Sequence, residues 1–241
     1  MRVLNHQVSP RYKADKLASR AIEDRIDVYE DRVQGWILGP ARALLTVPHA
    51  DIAVLLLCLG YFEGWEQYRS GKDSNGRSGV FFHRGWAAVF PGIDWGGIAR
   101  HPGDEAAISA TLYNQLRCGA AHDGLPRKTV FIAPIDIPVA ISADQVTGDI
   151  GAIMVNPRRF LEHIEHHFRG YTAQLRHPAN AELRANFTKT WERVNVGSPI
   201  LPEGLPFLPG PPPPAPPGTG VSASVPAAGS DSPLPGQRQP T

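Results

Sequence analysis

Apolar residues recur at three- and four-residue steps at Ala18, Ile22, Ile26, Tyr29, Val33 and Trp36, which predicts an amphipathic helix with one buried face. Gly39-Pro40 weakens or breaks that pattern. A second helix is expected from about Asp51 to Arg69. Its run "IAVLLLCLGYF" is apolar nearly all round, so it belongs at the centre of a bundle. "SGVFFHRGWAAVF" predicts a shorter third helix, and Pro91 to Gly103 reads as a loop. Asp104 is a candidate cap for a fourth helix, with Glu105 favourable in its first turn. Ile108, Leu112 and Leu116 share one face of that helix, which runs into His122 and a stop at Asp123-Gly124.

The pattern then shortens. "TVFIA", "IPVAI" and "GAIMV" are β-rich runs broken by proline and glycine, expected to form a hairpin or three-strand insertion over about 129–155. Asn156-Pro157 opens another helix with a side-chain cap and a proline at its first position. Phe160, Ile164, Phe168, Tyr171 and Leu175 mark its buried face, and a last helix runs from about Asn180 to Val194. The fold class expected is mainly α: a helical bundle with a small β insertion and a disordered Pro-rich tail. The chain divides into an N-terminal arm (1–13), a helical domain (14–196) and the tail (197–241).

Composition changes the picture at the tail. From Pro199 onward lie 14 of the 24 prolines, mixed with Gly, Ser and Ala. Such a segment buries too little apolar surface to offset its ordering entropy and reads as disordered. Its polyproline run is of a kind that adaptor domains recognise. The formal net charge of +1 announces no overall affinity for nucleic acid, so any basic patch must be local. Two cysteines, Cys58 and Cys118, make no disulfide framework and point to a reducing, cytoplasmic setting. The N-terminus lacks the apolar core of a signal peptide, and Ile52 to Phe62 is too short to cross a bilayer. No membrane role is expected.

Several constellations of chemistry-bearing residues can be weighed. His163 and His167 stand four apart, as paired zinc ligands do on one helix face. Ile164 occupies the place where the catalytic version needs a glutamate, and no third ligand is obvious. Solvated surface histidines are the better reading, with no metal and no cofactor. "GIDWGGIARHPGD" and "TGDIGA" lack phosphate-loop spacing, and no G-x-S-x-G elbow occurs. Glu63 follows Leu59 by four and Leu56 by seven, which places a carboxylate on an apolar helix face where it needs a partner, commonly arginine.

The stretch "LYNQLRCGAAHDG" holds an R-x4-H pair, Arg117 and His122. The same spacing recurs at Arg158 and His163, so spacing alone selects neither. Arg117 and His122 straddle Cys118, Gly119, Ala120 and Ala121, small residues that leave room for another backbone or a substrate. In a regular α-helix, five residues turn the chain by about 140°, so the two side chains would not share a face. An irregularity near Gly119, arginine's reach or a second subunit would have to bring them together.

"LYNQLRCGAAHDG" after two long helices resembles the HEPN superfamily, and more narrowly bacterial members with an R-C-G-x-x-H core followed by a short β segment and an "NPRRF"-like helix start. The resemblance implies an all-helical bundle, commonly dimeric, and a metal-independent endoribonuclease of a bacterial defence or toxin–antitoxin system. Arg117 and His122 would be its catalytic pair, with Glu63 and Asp123 in support. RNA brings its own nucleophile, the 2′-hydroxyl, so histidine need only move protons and arginine stabilise the phosphoryl charge. Arg127 and Lys128 would grip the phosphate backbone. The expected partners are RNA, a second copy of the chain in a homodimer, and an antitoxin. Cys118 stands where active nucleases often carry Asn, Asp or His. The alternative is therefore a non-catalytic HEPN module that binds RNA, nucleotide or a partner protein; a third reading is an interaction protein acting through its tail. Gly124 replaces the tyrosine of the R-x4-H-x-Y variant, which argues against that form of antitoxin control.

Overall fold

A computed structural model describes residues 7–91, 104–127, 129–144, 146–147 and 149–195 of the chain. Most of the loop expected before Asp104, the capping side chain of Asp104 itself, Lys128 and the tail expected from Gly197 lie outside the described residues.

The first helical stretch comprises α1 (Ile22–Val33), a π-helical segment (Gln34–Leu38) and α2 (Gly39–Leu44). Ala18 lies before it, closing a 3₁₀ turn over Ala14–Leu17. The expected break at Gly39-Pro40 is instead a widening. Proline's ring would crowd the carbonyl four residues back, and the π-segment just before Pro40 relieves that crowding. The widening also moves the inward face: Leu38 is fully buried while Trp36, expected on the buried stripe, is half exposed with Arg32 against its ring. The arm packs onto this helix. Val8 and Ser9 are buried, Arg11 pairs with Asp31, and Pro10 fills the space where a side chain at Gly35 would stand.

The central helix is α3 (Asp51–Ser70), and α4 (Ser78–Val89) lies against it. The two approach so closely that a Cβ on Gly85 would clash with the Phe62 carbonyl oxygen, a backbone contact that only glycine permits. Around this contact Phe62, Phe82, Trp86, Phe90 and Phe160 form a continuous aromatic core. Next come α5 (Asp104–Leu112) and a second π-helix (Tyr113–Asp123), whose Ile108, Leu112 and Leu116 are all buried.

The expected β insertion is a three-stranded mixed sheet of β1 (Val130–Ile132), β2 (Val139–Ala143) and β3 (Ile150–Val155). β3 lies in the middle, parallel to β1 and antiparallel to β2. α6 (Pro157–Arg176) begins directly after it. The Asn156 side chain accepts the Arg158 and Arg159 N–H groups, satisfying the helix start, and donates to the Ile135 carbonyl in the loop between β1 and β2. Phe160, Ile164, Phe168, Tyr171 and Leu175 are buried as the periodicity predicts, and α7 (Ala181–Asn195) closes the bundle through Phe187 and Trp191. No helix among the described residues is long and apolar enough to cross a membrane.

Candidate functional site

The site begins with backbone. From Tyr113 to Asp123 the chain winds as a π-helix, each N–H bonding the carbonyl five residues back rather than four. Its wider turn means that steps of four and of five residues both return to nearly the same side. Tyr113, Arg117 and His122 stand at such steps. The off-face geometry expected of a regular α-helix therefore does not apply.

Packing against the returning chain shows why small residues belong here. Gly119 and Ala120 are buried, and a Cβ on Gly119 would lie 3.0 Å from the Arg127 nitrogen and 3.1 Å from the Leu125 carbonyl oxygen. The backbone for which the Gly-Ala-Ala stretch leaves room is the chain's own. Gly124, in the left-handed conformation, turns it, and the Arg127 N–H then donates to the Gln115 carbonyl at 3.0 Å.

Arg117 and Glu63 meet. Arg117 Nη2 donates to Glu63 Oε2 at 3.1 Å, and Ser74 Oγ donates to Glu63 Oε1 at 2.8 Å. The Arg117 guanidinium also lies over the Tyr113 ring, 5.4 Å from its centroid. Tyr113 is fixed in turn by its hydroxyl, 2.8 Å from Ser78 Oγ, and by the ring edges of Phe82 and His83. Glu63 thus has the arginine partner its helical position demanded, and the single bond to Glu63 leaves other guanidinium donors for an anion.

Of the remaining expected site residues, His122, Asp123 and Arg127 form no hydrogen bond or ion pair with Arg117 or Glu63. The His122 side chain is exposed and makes no hydrogen bond among the described residues. Asp123 pairs with Arg127 at 2.8 Å, a solvent-facing bond that raises the arginine's proton affinity but adds little to stability. Lys128 lies outside the described residues.

The second R-x4-H pair is built differently. Arg158 is exposed, whereas His163 stacks on Phe90 at 4.6 Å and its Nε2 lies 2.6 Å from the Val89 carbonyl oxygen. His167 is also not a solvated surface histidine. Its Nδ1 is 2.9 Å from the Tyr61 hydroxyl and its ring meets Trp65, and burial, with the charges of His163 and His166, pulls its pKa down to about 4. Of the three histidines on α6, only His166 is exposed. Phe90, just after α4, draws in His163, and Tyr61 and Trp65 of α3 draw in His167. Among the described residues, no group of three or more His, Cys, Asp or Glu side chains is placed to hold a metal ion.

Tyr113, Ser74, Ser78 and His83 escaped the sequence reading. The four-residue step from Tyr113 to Arg117 was a usable signal, since a ring and a guanidinium at that spacing can meet on a helix. Nothing in the sequence placed the α4 residues beside them. No family model, curated protein or solved structure matches this chain.

Proposed function

We propose that the chain is a HEPN-like, metal-independent endoribonuclease of the bacterial defence or toxin–antitoxin type, with Arg117 and His122 at its catalytic site. The observation that supports this reading most is the π-helix from Tyr113 to Asp123, which turns an off-face pair into a same-side pair. In the reaction the 2′-oxygen attacks phosphorus, Arg117 offsets the charge gathering on the phosphoryl oxygens, and His122 exchanges a proton with solvent-accessible oxygen. Glu63 holds the guanidinium through one bond while Tyr113 supports it from below, an arrangement that preorganises the cation.

The test is cleavage of end-labelled RNA in excess EDTA. Cleavage should persist, with 2′,3′-cyclic phosphate ends, and Arg117→Ala and His122→Ala should each abolish it without loss of folding. Activity that disappears with chelator and returns with zinc would refute the metal-free scheme.

One observation favours the second reading, a non-catalytic module that binds RNA, nucleotide or a protein. Arg117 is already held by a carboxylate, which competes with phosphate for the guanidinium. Under that reading the wild-type chain retains RNA on a filter and leaves it intact, and Arg117→Ala weakens retention.

A further inference from the structure

A single histidine cannot act at once as base and as acid in a transesterification, so the proposed site lacks one proton-transfer group. We propose that His83 of α4 is that group, completing within one chain a reaction centre with Arg117 and His122. This rests on the ribonuclease reading above.

Three observations carry it. The His83 ring stands edge-on to Tyr113, centroids 5.9 Å apart, and Tyr113 is the same ring that bears the Arg117 guanidinium. His83 therefore belongs to the Arg117 cluster although it comes from another helix. Its Nδ1 is buried with no hydrogen-bond partner among the described residues, an arrangement that costs stability and calls for an explanation. On the other side of the ring, Gly79, one turn earlier on α4, carries no side chain. A Cβ there would lie 3.9 Å from Nε2, so its absence leaves space beside that nitrogen.

Burial lowers the proton affinity of His83, which keeps the ring neutral and able to accept a proton at neutral pH. Of the ionisable groups nearby, Tyr113 from the π-helix meets the ring and Arg84 is beside it in sequence, while Arg117 and Glu63 join the cluster only through Tyr113. His163 meets the far end of α4 at Val89. Arg117 and Glu63 offset one another.

The chemistry balances. His83 Nε2 takes the 2′-hydroxyl proton as the 2′-oxygen bonds to phosphorus. The bond from phosphorus to the 5′-oxygen breaks, and that oxygen takes a proton from His122. The products are a 2′,3′-cyclic phosphate and a 5′-hydroxyl. Along the π-helix the order is Tyr113 with His83 at one end, Arg117 in the middle and His122 at the other, so the cation lies between base and acid.

The full chain and its His83→Gln, Arg117→Ala and His122→Ala variants are compared on end-labelled RNA in EDTA, with pH–rate profiles and melting curves. His83→Gln should lose about 100-fold or more in kcat with little change in KM or melting temperature. It should also lose the acid limb of the profile, whose midpoint in the wild type lies below the ordinary histidine value of about 6.5. Retention of kcat and of that limb in His83→Gln, with Arg117→Ala inactive, overturns the assignment of His83 alone. Failure of the wild type to cleave any RNA overturns the ribonuclease reading and this assignment with it. Should His83→Gln not fold, the wild-type imidazole is followed by NMR while uridine 3′-monophosphate is added. Displaced His83 resonances support the assignment, and unmoved ones overturn it.

Discussion

Glu63 shows how one side chain is held between structural and chemical roles. It is partly buried on α3, where a lone carboxylate would be costly, and it receives one bond from Arg117 and one from Ser74. A double-mutant cycle on Glu63→Gln and Arg117→Ala should give a coupling of about 0.5–1.5 kcal/mol in urea unfolding, because the pair is neither fully buried nor fully solvated. The two R-x4-H histidines separate at the same scale. His163→Ala removes a stacked ring and a bond to the Val89 carbonyl and should cost about 1–3 kcal/mol of stability. Arg158→Ala, at the exposed start of α6, should stay within about 0.5 kcal/mol. His167 adds a pH dependence with a definite sign. Its folded pKa of about 4 lies below the unfolded value of about 6.5, so acid favours the unfolded chain, which binds the proton first. The His167 contribution should be complete above about pH 6.5 and fall away towards pH 4. A His167→Gln variant should show a flatter stability profile over that window in equilibrium unfolding.

At the scale of elements, the two π-segments do related work. The first, before Pro40, makes Leu38 rather than Trp36 the next buried residue after Val33. The second makes Arg117 and His122 neighbours in azimuth and lets the 125–127 segment fold back over Gly119. That return path tests the element directly. Gly119→Ala places a methyl about 3 Å from backbone atoms of Leu125 and Arg127, so one strand of chain must shift. Overpacking of this kind should cost about 1–3 kcal/mol, measured by urea unfolding, and should lower cleavage by moving the π-helix. An unchanged midpoint would mean that the return segment yields freely.

At the scale of the molecule, the described core ends with α7, whose Phe187 and Trp191 are the last large buried side chains. A chain ending at Gly197 should melt within a few degrees of the full chain and keep its activity, because the Pro-rich composition beyond it offers no core residues. We also propose a homodimer as the working unit, to be checked by light scattering. Gly119 and Ala120 are buried within their own chain, and the reaction centre proposed above lies within one chain. Mixing Arg117→Ala with His122→Ala subunits should therefore restore no activity. The sequence by itself determined most of the helical stripes, the centrality of α3, the Asn156 cap, the place of a small β insertion and the need of Glu63 for a partner, because periodicity, capping chemistry and desolvation act on neighbours along the chain. Only the tertiary structure decided the π-helical winding, the inward turn of His163 and His167, and the meeting of Glu63, Tyr113, His83 and Arg117. Those outcomes depend on how closely α3 and α4 pack at Gly85 and on a backbone segment returning over Gly119, distances between residues far apart in sequence that no local pattern encodes.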